Sequence, residues 1–146
     1  MRRFGLTLAI ALFSGAITAL NAAVYDITEF GAKPDTTVLS TEAIQRAIDT
    51  ASAAGGGQVL IPAGEWVTGS IFLKSDVDLH LAHGATLYGS TDIANYKPVA
   101  TNYLSLRTHV PTIQLIYADN VERVAITGTG TIDGRGHVFP KLSWND

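Results

Sequence analysis

The apolar positions of this chain change their spacing once. From Thr41 onward, Ala43, Ile44, Ala47, Ile48 and Ala51 recur at intervals of three and four, while Glu42, Gln45, Arg46 and Asp49 fall between them. This is the stripe of an amphipathic helix. Ser40 or Thr41 is placed to cap its start, Glu42 favours the positive end of the helix dipole, and Gly55, Gly56 and Gly57 stop it. No other stretch after residue 23 has this period. Val77, Leu79 and Leu81 instead alternate with Asp76, Asp78 and His80, which predicts a strand with one buried face. Further short strands are predicted at Tyr25–Thr28, Val59–Ile61, Ile71–Leu73, Ala85–Tyr88, Ile113–Tyr117, Val124–Thr127 and Thr131–Ile132, separated by glycine and proline turns. Residues 95–110 read as a loop.

The strands echo one another. Leu79, Leu81, Leu87 and Gly89 have the same mutual spacing as Val124, Ile126, Ile132 and Gly134, 45 positions later. Short strands repeating in this way suggest a solenoid with coils of roughly 20–25 residues, whereas a sandwich or barrel also accommodates many short strands. In a solenoid the amphipathic helix has a clear use: laid across the first coil, it covers an edge that would otherwise pair with another chain. No such cover follows the last strand, so a truncated stack of roughly five coils is expected.

Composition adds the setting. Met1, Arg2 and Arg3 precede a mainly apolar run from Phe4 to Leu20 and the small residues Ala22 and Ala23, the layout of an export signal removed near Ala22 or Ala23. The run is shorter and more broken than the stretch of about 20 apolar residues that spans a bilayer. Residues 1–23 are therefore assigned to a signal peptide and 24–146 to one incomplete domain, exported to the periplasm or beyond, with no membrane contact after cleavage. Without Arg2 and Arg3, 8 basic and 13 acidic residues leave a net charge of −5. That balance argues against a nucleic-acid partner, which requires basic patches. With no cysteine, neither a disulfide nor a thiolate metal site is available.

Three stretches together resemble the N-terminal region of family 28 glycoside hydrolases, the polygalacturonases and their relatives. The first is Tyr25-Asp-Ile-Thr-Glu-Phe-Gly-Ala-Lys-Pro-Asp with Thr41-Glu-Ala-Ile-Gln-Arg-Ala-Ile-Asp and the triple glycine. The second runs from Val59-Leu-Ile-Pro-Ala-Gly-Glu-Trp through Leu79-His-Leu-Ala-His-Gly-Ala-Thr-Leu-Tyr-Gly-Ser, and the third is Ile126-Thr-Gly-Thr-Gly-Thr-Ile-Asp-Gly-Arg-Gly. The first stretch is shared with pectate-lyase-like proteins and tailspikes; the other two are more particular to the hydrolases. The resemblance implies a right-handed parallel β-helix with an N-terminal capping helix, and so decides against the sandwich. It also implies a metal-independent, inverting hydrolase of α-1,4-galacturonosidic bonds in pectic polysaccharide, with no cofactor and monomeric at full length. The family draws its catalytic groups from Asn-x-Asp, Asp-Asp, Gly-His-Gly and Arg-x-Lys sequences, and none of these occurs here. No catalytic residue is carried over, and the fragment itself is expected to be inactive. Other readings are a non-catalytic glycan-binding β-helix and a calcium-dependent lyase.

Individual residues sharpen this little. Asp76, Asp78 and His80 would suit a divalent ion, but alternation alone explains them as a solvated strand face. Asp133 in Ile-Asp-Gly-Arg-Gly is read as a turn residue rather than a general acid. Arg135, His137 and Lys141 are candidate contacts for polyuronate carboxylates, against the simpler reading of scattered surface charge. His83 and His109 lack metal-ligand spacing. Trp66 and Trp144 could stack on sugars but are better placed in a core.

Overall fold

The computed structural model describes residues 23–99 and 112–139. The order of elements is β1 (Val24–Asp26), α1 (Thr41–Ala53), β2 (Gly57–Ile61), β3 (Gly64–Thr68), β4 (Ile71–Phe72), β5 (Val77–Leu81), β6 (Ala85–Gly89), β7 (Pro98–Val99), β8 (Thr112–Ile113), β9 (Ile116–Tyr117), β10 (Ala125–Gly128) and β11 (Thr131–Asp133). Strands joined by a short turn do not pair with each other, and the one antiparallel pair among the described residues is the small β7–β8. Instead β1, β2, β5 and β10 form one parallel sheet, β3, β6 and β11 a second, and β4 with β9 a third. A chain that visits three sheets in turn and then returns to the first in parallel is a β-helix, and the sandwich alternative is excluded.

The register stacks like on like. Tyr25, Val59, Leu79 and Ile126 form one column, and Trp66, Leu87 and Ile132 another. The step from Val59 to Leu79 is 20 residues, as expected, but the step from Leu79 to Ile126 is 47. The echo of 45 therefore spans one coil step, not two, because this coil carries an excursion that includes β7 and β8. The first sheet thus has four layers rather than five among the described residues. The echo is also shifted in one place: Leu87 pairs with Ile132 at a spacing of 45, whereas Leu79 pairs with Ile126 at 47. A shift of two residues keeps every side chain on its own face, so the path from Ile126 to Ile132 can be two residues shorter than that from Leu79 to Leu87 without disturbing the core.

The predicted helix stripe is buried as a unit: Ile44, Ala47, Ile48 and Ala51 are fully buried and Ala43 nearly so. They join Ile27, Val59, Ile61, Ile71, Val77 and Leu79 in one core. Each such aliphatic side chain contributes about 1.5–3 kcal/mol on burial. Ser40 occupies the position before the helix but makes no side-chain cap. Its backbone N–H donates to the Val67 carbonyl at 2.8 Å, while Thr41 Oγ1 accepts from the Gly69 N–H at 2.7 Å. The helix start is thereby tied to the second coil instead of being capped by its own hydroxyl. Farther along, the Gln45 amide imitates a strand: Nε2 donates to the Phe72 carbonyl at 3.0 Å, and Oε1 accepts from the Phe72 N–H at 2.8 Å. The polar groups of β4 that face the helix are satisfied in this way.

The turn entering the first sheet is built alike in three layers. Gly56, Asp76 and Arg123 have φ values of 113°, 66° and 54°, and each lies two residues before a register partner among Gln58, Asp78 and Ala125. The backbone of one layer bonds the next, with Gly57 N–H donating to the Asp76 carbonyl and Asp76 N–H to the Glu122 carbonyl, each at 3.0 Å. Only the lowest layer uses glycine. A Cβ at position 56 would lie 2.7 Å from both Cβ and the carbonyl oxygen of Asp76.

The strand predicted at Ile113–Tyr117 is two strands, β8 and β9, broken at Gln114 and Leu115. The break lets the chain change sheets: the Gln114 carbonyl accepts from Ser70 Oγ at 2.6 Å and the Leu115 carbonyl from the Ile71 N–H at 2.9 Å. Most of the predicted loop at 95–110 and nearly all of the predicted signal segment lie outside the described residues. Among the described residues no helix is long and apolar enough to cross a membrane.

Candidate functional site

Two polar surfaces run across the coils. On the outer face of the first sheet, Thr127 Oγ1 donates to the Asp78 carboxylate at 2.8 Å and lies 2.7 Å from His80 Nδ1, while Gln58 Nε2 donates to Asp78 Oδ2 at 3.0 Å. The single hydroxyl proton of Thr127 is committed to Asp78, so it accepts from His80, whose Nδ1 carries the hydrogen. Asp76 turns to a different partner, Arg123, which bonds it through Nε and, at 3.0 Å, through Nη2. That guanidinium holds the Asp76 carboxyl below its usual range. Each acidic group of the predicted Asp76, Asp78 and His80 set thus has a neighbour in an adjacent coil, and the solvated-face reading describes them well. Among the described residues no group of three His, Asp or Glu side chains comes together around a metal position.

The second surface lies on the flank of β3, β6 and β11. Alternation in β6 turns Leu87 inward and leaves Thr86 and Tyr88 half-buried on the outside. Tyr88 donates to Glu65 Oε1 at 3.2 Å, one layer below. This bond to the carboxylate, more than any other influence, raises the Tyr88 phenol above its usual value, with Arg135 acting in the opposite sense. From one layer above, the Arg135 guanidinium sits 4.1 Å from the centre of the Tyr88 ring, a cation–π contact. Asp133 Oδ1 accepts from the Arg135 N–H at 2.8 Å. Asp133 is therefore the turn residue the sequence predicts, and it helps hold Arg135 in a left-handed backbone conformation at φ 49°.

Beside Arg135 lies a small pocket that spans the layers, lined also by Thr36, Val67, Ser90, Thr91 and Asn95. The wall at Leu39 forms a parallel bridge with Val67, and the Ser90 N–H donates to the Thr68 carbonyl at 2.7 Å, so both sides are anchored to β3. Ser90 is 5% exposed; its Oγ accepts from the Asp92 N–H at 3.1 Å and from Asn95 Nδ2 at 2.7 Å. Among the described residues the Arg135 side chain has no hydrogen-bonded or ion-paired acceptor. The pocket thus combines a cation, hydroxyl groups and an amide, a set suited to binding rather than to bond cleavage.

Of the sequence-predicted contacts, only Arg135 belongs to this pocket. His137 is exposed in the short turn Gly136–Val138, and His83 is exposed in the turn before β6. Lys141, His109 and Trp144 lie outside the described residues. Trp66 is 1% exposed with its indole N–H donating to the Pro62 carbonyl at 2.8 Å, so it is core. Sequence reasoning missed Tyr88, Glu65, Ser90 and Asn95 as a group. The alternation of Ala85–Gly89 signals that Tyr88 points outward, but its neighbours come from other layers.

No family model matches the chain. It is 39% identical over 134 residues to the exo-poly-alpha-D-galacturonosidase of Dickeya chrysanthemi, an alignment that covers 84% of this chain and 22% of that enzyme. Among solved structures, the family 28 exopolygalacturonase of Yersinia enterocolitica aligns with a TM-score of 0.70 and 35% identity over 78% of this chain and 21% of its own. The chain is a relative of the family 28 polygalacturonases. The hyperthermoactive exopolygalacturonase of Thermotoga maritima agrees, with a TM-score of 0.67, 34% identity, and coverage of 77% and 25%. The chain therefore spans about a fifth to a quarter of the length of the polygalacturonases it matches. The parallel coils and the helix against the first of them are what a polygalacturonase relative was expected to show.

Proposed function

We propose that this chain forms the helix-capped first coils of an exported hydrolase that cleaves galacturonosidic bonds in pectic polysaccharide. The observation that carries this reading is the 39% identity over 134 residues to an exo-poly-alpha-D-galacturonosidase. Inverting hydrolysis requires a carboxylic acid to protonate the leaving oxygen and a carboxylate to activate water, roughly 6.5–9.5 Å apart. Here Glu65 accepts from Tyr88, Asp76 from Arg123, and Asp78 from Gln58 and Thr127. Carboxylates committed in this way are poorly suited to that work, which supports placing the chemistry in the part of the fold this chain does not span. The basic start and apolar run of residues 1–23 support export.

The test compares two preparations on polygalacturonate, one of the 146-residue chain and one expressed from the whole reading frame. The longer product is expected to release reducing ends and the chain alone to release none. Reducing ends released by the chain alone would sink the assignment of the chemistry to other coils. Unsaturated products absorbing in the near ultraviolet would replace the hydrolase by a lyase. The exported protein is expected to begin near Ala23 or Val24 when its N-terminus is sequenced.

A further inference from the structure

We infer that the pocket between Arg135 and Ser90 is a subsite for the carboxylate-bearing ring of a uronic acid. The inference rests on the pectic reading above and adds to it a place and a set of contacts. Arg135 supplies the cation. Its backbone is fixed by the Asp133 bond and its guanidinium is set against the Tyr88 ring at 4.1 Å, so little side-chain freedom is lost when an anion binds. Among the described residues no carboxylate pairs with it, whereas Arg46 meets Glu42 and Arg123 meets Asp76 and Glu122. A planar guanidinium presents parallel N–H donors that match the two oxygens of a carboxylate.

The remaining lining fits the neutral part of a sugar. Ser90 Oγ already accepts two hydrogen bonds, so its own hydrogen is the part left to offer, and it is offered from a buried position. Asn95 spends one amide hydrogen on Ser90 and retains its carbonyl oxygen as an acceptor. Thr36 and Thr91 add hydroxyl-bearing side chains to the lining. One cation, donors and an acceptor around an open cleft select a hydroxylated anion over a plain hydrocarbon or a second cation. Tyr88 donates its hydroxyl hydrogen to Glu65, so the ring beneath Arg135 is a neutral phenol and does not compete with an incoming carboxylate.

The same chemistry could reach the pocket from a polymer chain or from a released monosaccharide. Binding of galacturonate, of a short oligogalacturonate and of neutral galactose is measured by calorimetry on the protein expressed from its whole reading frame, together with Arg135→Gln and Arg135→Lys. A charge-assisted pair lost from such a site weakens binding by about tenfold or more. The expected order for the acidic ligands is arginine tightest, lysine intermediate and glutamine weakest, with no change for galactose and unchanged melting temperatures. Tighter binding of the oligomer than of the monomer points to a polymer subsite; equal binding points to a product site. Equal affinities of all three proteins for both acidic ligands would overturn the inference. Hydrolysis is assayed on the same samples: activity with no Arg135 effect on binding removes the subsite and leaves the hydrolase, while an Arg135-dependent uronate site without hydrolysis does the reverse.

Discussion

The inner layers and the last described layer of this β-helix carry the same kinds of residue in the same register and bury them very differently. Val59 and Leu79 are fully buried, whereas Ile126, stacked on Leu79, is 48% exposed. In the next sheet Trp66 and Leu87 are at most 1% exposed, whereas Ile132, stacked on Leu87, is 40% exposed. Alternation, strand length and side-chain type do not separate these positions. What separates them is whether a layer lies on both sides. The lower layers have α1 against them and a coil above; Ile126 and Ile132 belong to the last layer of the described residues. In a stacked fold, burial belongs to the interface between repeats, and a side chain acquires it only from its neighbours.

The strongest way to break this comparison is to cut the same column at two heights. Leu79→Ala leaves a cavity in a closed core and is expected to cost about 2–5 kcal/mol. Ile126→Ala, in the 146-residue chain, removes a half-exposed side chain and is expected to cost about 1 kcal/mol. Urea unfolding of the two variants beside the parent checks the difference. In a longer protein in which another coil seats on β10, the two costs should converge. Equal costs in the short chain would show that Ile126 is already enclosed.

A smaller effect tests the turn below β2. Gly55 and Gly56 both have left-handed backbones, at φ 93° and 113°, but a Cβ on Gly55 meets nothing within 4 Å, while one on Gly56 runs into Asp76 of the next layer. Gly55→Ala should therefore cost only the backbone term, about 1–2 kcal/mol. Gly56→Ala should add overpacking of about 1–3 kcal/mol. If the two substitutions cost the same, the layers are not as closely seated at this turn as their backbone hydrogen bonds imply.

Much of the lower region was legible because its signals are local. The stripe from Ala43 to Ala51 fixes a helix and its buried face, the alternation from Val77 to Leu81 fixes a half-buried strand, and Asp133 bonds the backbone two residues on as an aspartate in a turn does. The parts that were not legible depend on stacking. Nothing near Tyr88 indicates that Glu65 lies one layer below and Arg135 one above, since the three are brought together only by the register of β3, β6 and β11. The long step from Leu79 to Ile126 is hidden for the same reason: an excursion inside one coil and an extra coil lengthen the sequence by similar amounts. Splitting of the predicted strand at Gln114 was hidden because an apolar run carries no mark of a change of sheet.

The smallest expected effect concerns the link between the two regions. Arg123, at the turn entering β10, bonds Asp76, at the turn entering β5, and both hold left-handed backbones. Neither residue is favoured there by its side chain as glycine is, so the ion pair helps to hold a turn the backbone alone would not choose. The pair lowers the Asp76 carboxyl from its ordinary value of 3.8, above all through the Arg123 hydrogen bond, with burial opposing it and the Arg123 charge adding a lesser pull downward. A carboxyl with a lower pKa in the folded than in the unfolded chain stabilises the fold above the unfolded value, and that contribution disappears as pH falls through the folded value. The stability difference between the parent and Asp76→Asn should therefore be constant near neutral pH, begin to shrink below about pH 4, and vanish in stronger acid. Because the pair faces solvent, high salt should reduce it at neutral pH as well. A difference that persists unchanged in acid and in high salt would mean that Asp76 acts through its turn-forming shape and not through its charge.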